Sequence, residues 1–110
     1  MNDIKVTPSS GNVYEDLGFP DAKEMLVKAD LASIIQEIIE SKGLTQVKAA
    51  EMIGLSQPKL SDLLKGKFRG VSEAKMLECI TRLGRDIRIV INAHERPANN
   101  PGHIEVCMGA

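Results

Sequence analysis

The stretch LTQVKAAEMIGLSQPKLSDLLKG, residues 44–66, decides the fold of this 110-residue chain. Its first part predicts a short helix after Thr45, because that hydroxyl is suited to accept a hydrogen bond from the free backbone N–H groups of a first turn. Gly54 then permits a sharp turn in left-handed backbone geometry, where a Cβ is unfavourable. Ser56 is suited to cap a second helix, and Pro58 lies in its first turn, where a missing N–H is harmless. The stretch therefore predicts two short helices joined by a tight turn.

The residue types in these two helices predict how they pack. Ala49 and Ala50 are small enough to let the helices cross closely, and four larger apolar side chains are expected to point inward: Ile53, Leu55, Leu60 and Leu63. The outward positions are then polar: Gln57, Lys59, Ser61, Asp62 and Lys65. The pattern predicts a helix-turn-helix at residues 45–65, which places its second helix in the major groove of DNA. A two-helix hairpin without a role in DNA binding is the alternative.

The net charge of −1 hides an uneven distribution of charge along the chain. Residues 1–42 contain four Lys and eight Asp or Glu, a net −4, whereas residues 43–88 contain nine Lys or Arg and five Asp or Glu, a net +4. A basic module beside an acidic one suggests two partners of different charge. Ordinary mixing of surface charges is the alternative.

A long helix is predicted before the helix-turn-helix, over residues 21–42. Asp21 suits its N-cap, Glu24 completes a capping box, and Gly43 suits the position after its end. Its apolar residues fall on two nearly opposite faces, which one straight helix cannot bury against one core. Either the helix breaks near Asp30, or its first half packs against another chain or the N-terminal segment. We favour the second explanation.

The remaining sequence predicts a helix and then β structure. Ser72 suits the N-cap of a helix over residues 72–83, and the β-branched run 87–91 predicts a strand, with a short second strand near 104–108. We expect an irregular extension at 1–20, a helical DNA-binding domain at 21–85 and a C-terminal strand or hairpin at 86–110. A lone hairpin is marginally stable in water, so the strands could pair across a dimer. The interface expected there involves the end of the 72–83 helix and Ile87, Ile89 and Ile91.

The helix-turn-helix resembles that of the Xre family, which includes the lambda-type phage repressors and Cro. The resemblance rests on residues 44–46, the paired alanines, Gly54 and the closing residues 65–67. It implies a mainly α, lambda-repressor-like domain that binds a palindromic operator in double-stranded DNA as a homodimer. It also implies base contacts from Gln57, Ser61 and Asp62. Expected phosphate contacts come from Gln46, Ser56, Lys59, Lys65, Lys67 and Arg69.

Pro58 stands where the phage repressors often have a polar residue. It has no side-chain donor, so we expect fewer hydrogen bonds to bases, with more apolar contact to thymine methyl groups.

A second resemblance covers about residues 11–93. The segment GNVYEDLGF, residues 11–19, and the following helix are similar to the lead-in of HigA-like antitoxins, which have an Xre-type domain after it and a β element near the C-terminus. The resemblance implies repression of the module's own operon and a RelE/HigB-like toxin that cleaves mRNA. Toxin binding is expected from Tyr14, Leu17 and Phe19; in the alternative, these three side chains dock on their own domain.

Other classes of function have little support in the sequence. Cys79, Cys107, His94 and His103 lack metal-ligand spacing, and we expect no metal site, cofactor or catalytic set, so the protein is predicted not to be an enzyme. No apolar run approaches the roughly 20 residues of a membrane span, and no signal peptide is evident, so we predict a cytoplasmic protein. Two alternatives to the antitoxin remain open: a stand-alone Xre-family regulator, and an interaction module without DNA binding.

Overall fold

The structure, a computed structural model, describes residue 18 and residues 21–109. The described residues form four helices: α1 (Ala22–Ser41), α2 (Gln46–Ile53), α3 (Gln57–Leu64) and α4 (Glu73–Arg82). This confirms the mainly helical prediction and places α2 and α3 where the helix-turn-helix was expected. None of the helices in this part of the chain is long and apolar enough to cross a membrane.

The three short helices begin at the residues that the sequence predicts. Hydroxyl oxygens of Thr45, Ser56 and Ser72 accept hydrogen bonds from the backbone N–H three residues later, at 3.1, 3.3 and 3.0 Å. Each bond satisfies one donor that the first turn leaves without an intrahelical acceptor. These starts are fixed by local sequence.

The core draws on every helix. α1 contacts α3 and α4, and α2 also contacts α3 and α4. The largest fully buried side chains come from all four helices and from the residue that follows α4: Ile35, Ile38, Ile53, Leu60, Leu63, Met76, Cys79 and Leu83. The inward positions predicted for Ile53, Leu60 and Leu63 are therefore confirmed, and Leu55 is half-buried in the turn.

The helix α1 is continuous, as the favoured explanation requires, but its first half packs on the core of its own chain. It runs without a break through Asp30, and Met25 in its first half belongs to the same core cluster as the isoleucines of its second half. The first half is covered by the chain itself, because the loop between α3 and α4 returns over it: the Nζ of Lys28 donates a hydrogen bond to the Arg69 carbonyl oxygen at 2.9 Å. A second chain is not needed to bury Met25, and the alternative that the N-terminal segment covers this half of the helix lies outside the described residues.

The start of α1 is also not capped as predicted. Asp21 occupies the N-cap position, but its side chain makes no capping hydrogen bond and pairs with the Arg69 guanidinium. Glu24 does not complete a capping box either; its carboxylate lies 3.1 Å from the Nζ of Lys28. Glu24 pairs with a lysine one turn later on the same helix, whereas Asp21 pairs with an arginine 48 residues away that sequence spacing does not bring near.

The C-terminal strand or hairpin is not formed in the described residues. Residues 85–109 have no helix or strand, although a turn from Pro97 to Asn100 and a 3.2 Å contact between Arg96 Nη2 and His103 Nδ1 bring two arms together. An extended run becomes a strand only when another strand pairs with its backbone. The described part of one chain supplies no such neighbour to residues 87–91.

Candidate DNA-binding surface

The turn between α2 and α3 is fixed by Gly54. Its φ is +75°, in the left-handed region, and its N–H donates to the Ala50 carbonyl oxygen. A Cβ at this position would lie 2.7 Å from Arg82 Nη1, so the end of that flexible side chain would have to move. The turn therefore favours glycine mainly because of its left-handed backbone, with a smaller effect of the arginine beside it, and it sets the angle between the two helices.

The helix α3 presents a polar surface on its outer side. Its two fully buried residues are Leu60 and Leu63, which anchor it to the core. Of the three residues predicted to contact bases, Gln57 and Asp62 are exposed, whereas Ser61 is half-buried. Gln57 and Ser61 are one turn apart and lie on the same side of the helix. The helix therefore offers an amide and a hydroxyl on one line, with the carboxylate of Asp62 displaced from it.

The first turns of α2 and α3 carry the other polar groups expected at DNA. Gln46 is the first residue of α2 and is exposed. Ser56 is exposed, but its hydroxyl oxygen accepts the capping bond from Lys59 N–H, so a phosphate contact from Ser56 would share that hydroxyl. Backbone N–H groups at a helix N-terminus attract anions, so both starts are suited to phosphate.

Four cations predicted for phosphate binding lie on α3 and the loop after it, and all are exposed: Lys59, Lys65, Lys67 and Arg69. No ion pair within 4.0 Å joins Lys59, Lys65 or Lys67 to an acidic side chain of residues 18 or 21–109. Their charges are therefore available to an external anion. Arg69 differs, because its guanidinium pairs with the Asp21 carboxylate.

Lys28 is a residue that the sequence analysis missed. It lies in an otherwise apolar stripe of α1 with Met25, Ala32, Ile35 and Ile39, and all five residues are buried. A single charged residue within an apolar helical stripe could have been recognised from the sequence as structurally important. A buried ammonium requires hydrogen-bonding partners. Here those partners are the Glu24 carboxylate and the Arg69 carbonyl oxygen. Lys28 thus joins α1 to the loop that carries Lys65, Lys67 and Arg69.

The cysteines and histidines do not assemble into a metal site. No group of three or more potential metal ligands occurs among the described residues. Burial raises the pKa of the Cys79 thiol, although the neighbouring Lys75 opposes that effect. Cys107 is exposed on the C-terminal segment.

The residues expected to bind a toxin cannot be compared with the structure. Tyr14, Leu17 and Phe19 lie outside the described residues, as does all of the N-terminal extension except Gly18.

Comparison with known proteins agrees with this geometry. A family model described as a helix-turn-helix domain matches residues 13–92. A solved structure described as a candidate XRE-family transcriptional regulator is 33% identical in sequence and has a TM-score of 0.70; the match covers 79% of this chain and 97% of that one. No curated protein matches the chain. The range matched by the family model contains all four helices and the loop between α3 and α4.

Proposed function

The chain belongs to the helix-turn-helix domain family and is an XRE-type regulator, and from this premise we propose that it represses transcription by binding a specific operator. The observation that carries the proposal is the surface of α3, which is capped at its start, polar on its outer side and followed by cations available to phosphate. Phosphate contacts provide affinity and orientation, whereas side chains that reach base edges provide specificity.

The roles of the exposed residues follow from this division. Gln57 can donate to and accept from adenine at N7 and N6, and Asp62 can accept from the N4 amino group of cytosine. Ser61, which is half-buried, is suited to a single hydrogen bond. Lys59, Lys65 and Lys67 are point charges suited to phosphate.

We further propose that the protein binds as a homodimer. One recognition helix contacts few base pairs, and two-fold pairing doubles the site, with half-sites about 34 Å apart or at a multiple of that distance. The C-terminal run supports this proposal: Ile89 and Ile91 are 78% and 87% exposed, and Ile87 is also exposed. Pairing of two such runs would satisfy their backbone groups and cover these side chains.

The proposed biological role is that of the antitoxin in a HigBA-type module. The lead-in at residues 11–19 and the net −4 of residues 1–42 support a basic protein partner, which an acidic segment attracts. Tyr14, Leu17 and Phe19 would then anchor a RelE/HigB-like toxin, and binding of the complex to its own promoter would regulate the operon.

The operator proposal is tested with DNA from upstream of the protein's own gene. Each of Gln57→Ala and Ser61→Ala should weaken operator binding by roughly 1–3 kcal/mol and leave binding to unrelated duplex unchanged. Gln36→Ala is the matched control, because Gln36 is an exposed glutamine on α1. Equal operator affinity for wild type and both α3 variants would overturn the assignment of α3.

The antitoxin proposal is tested by the neighbouring gene and by rescue of growth. A small basic reading frame of about 100 residues should lie beside this gene, and its product should arrest growth unless this protein is co-expressed. Replacing Tyr14, Leu17 and Phe19 together by Asp should abolish rescue while operator binding persists. Absence of such a gene would favour a stand-alone XRE-family regulator.

A further inference from the structure

One of the cations in the loop after α3 forms an ion pair within the protein. The loop between α3 and α4 carries Lys65, Lys67 and Arg69, and only Arg69 is joined to an acidic side chain in the described residues. Its partner, Asp21, lies 48 residues earlier, at the start of α1. An arginine that contacts a carboxylate cannot give the same N–H groups and full charge to a DNA phosphate.

The backbone of Arg69 is held in place independently of this ion pair. Phe68 and Val71, on either side of it, are 3% and 6% exposed, and its carbonyl oxygen accepts a hydrogen bond from buried Lys28. The backbone position is therefore fixed, while the side chain is 56% exposed and able to change direction. An external phosphate would compete with the Asp21 carboxylate for this guanidinium.

The Arg69 side of the ion pair is open to solvent, and the Asp21 side is about half as exposed. Solvent screening at Arg69 reduces what the pair contributes to stability. Asp21 also adjoins the segment for which we propose a protein partner.

We propose that the Asp21–Arg69 ion pair is a switch that sets how many phosphates the protein contacts. In the closed state the carboxylate neutralises Arg69; in the open state Arg69 binds one more phosphate of duplex DNA. A protein bound to the segment that ends at Asp21 would act on DNA affinity through this pair. The inference rests on the proposed binding of DNA.

The test measures binding of the full chain to a 30-base-pair duplex without an operator, at several salt concentrations. The variant Asp21→Asn removes the competing charge with little change of shape. It should raise the magnitude of the slope of log K against log salt by about 0.9, as expected for one added phosphate contact, and strengthen binding about three- to tenfold near 0.1 M salt. In the Asp21→Asn background, Arg69→Gln should cancel both changes.

A matched control separates the switch from a general change of charge. Glu40→Gln makes the same change of charge near the other end of α1, about 28 Å along the helix axis from Asp21. At that distance salt screens its electrostatic interaction with the Asp21–Arg69 pair. It should leave the slope unchanged. The switch is overturned if Asp21→Asn behaves like Glu40→Gln, or if its gain persists with Arg69→Gln.

The same experiment distinguishes failure of the switch from failure of the proposed function. Lys67→Gln should lower the wild-type slope by about 0.9, because Lys67 is exposed and has no acidic partner in the described residues. Suppose the wild-type protein binds the duplex and Lys67→Gln lowers the slope, but Asp21→Asn has no effect. That result overturns the switch and leaves the proposed DNA binding intact. A wild-type protein that does not bind duplex DNA overturns both.

Discussion

Lys28 illustrates how one residue joins local structure to the DNA-binding surface. Its aliphatic stem lies within the apolar stripe of α1, and its ammonium group contacts the Glu24 carboxylate and the Arg69 carbonyl oxygen. A buried ammonium is costly unless it is paired, and loss of the lysine would leave a carbonyl group without its donor. The residue therefore stabilises the fold and holds the loop after α3.

We predict that Lys28→Met lowers the free energy of unfolding by roughly 1–3 kcal/mol, the usual effect of leaving one buried polar group without its partner. Methionine preserves the length and apolar character of the stem, so the loss reports mainly on the hydrogen bond to Arg69. Urea unfolding measures it. Lys23→Met, at an exposed position of the same helix, should change the free energy by less than about 0.5 kcal/mol. Equal effects of the two variants would contradict the assigned role.

The two cysteines should differ in reactivity and pH response. Cys107 is exposed and should react with a thiol reagent in the folded protein, whereas Cys79 should react only after unfolding.

Because burial raises the pKa of Cys79 above its ordinary 9.0, the folded state disfavours the thiolate. Its contribution to stability is complete below about pH 9 and is lost as the pH rises through the folded-state pKa. Unfolding of Cys79→Ala should lack this part of the alkaline pH dependence; an unchanged pH profile would refute it.

At the scale of elements, the turn of the helix-turn-helix combines backbone strain with a side-chain contact, and glycine substitutions separate them. Gly66→Ala, at φ +93° with no atom within 4 Å of the new Cβ, should lose roughly 1–2 kcal/mol from the left-handed backbone alone. Gly54→Ala should lose that amount and up to about 1 kcal/mol more, because Arg82 must move away from Glu78. Thermal unfolding measures both.

A double substitution checks the origin of the added loss. In an Arg82→Ala background, Gly54→Ala and Gly66→Ala should destabilise the protein equally. If Gly54→Ala remains the more harmful of the two there, the contact with Arg82 is not the cause.

The starts of the helices show that local contacts can be predicted from the sequence, whereas contacts with a distant loop cannot. The caps at Thr45, Ser56 and Ser72 could be predicted because donor and acceptor are three residues apart. The side chain of Asp21 could not, because its choice between a local N–H and Arg69 depends on a loop 48 residues away. The burial of the first half of α1 within the same chain was missed for the same reason, because the loop between α3 and α4 returns over it.

For the molecule as a whole, the sequence of one chain does not show how residues 87–91 pair with a second copy. The exposed polar side of α3 followed from helical periodicity, and the described residues agree with it. The strand at 87–91 depends on backbone groups that no described part of the same chain provides. The described residues do not form this strand, and under the proposed homodimer its formation requires a second chain.

That dependence leads to a test of assembly. Antiparallel pairing about Ile89 would place Ile87 opposite Ile91 of the second copy and Arg88 opposite Val90, so no like charges would meet. We predict that Ile89→Lys, which puts two ammonium groups at the centre of this pairing, yields monomers at tens of micromolar in sedimentation equilibrium and weakens binding to a palindromic operator. Ile104→Lys is the matched control: Ile104 is 70% exposed on the second arm and should leave the dimer intact. Wild-type protein that sediments as a monomer at that concentration and still binds the palindrome tightly would rule out this interface.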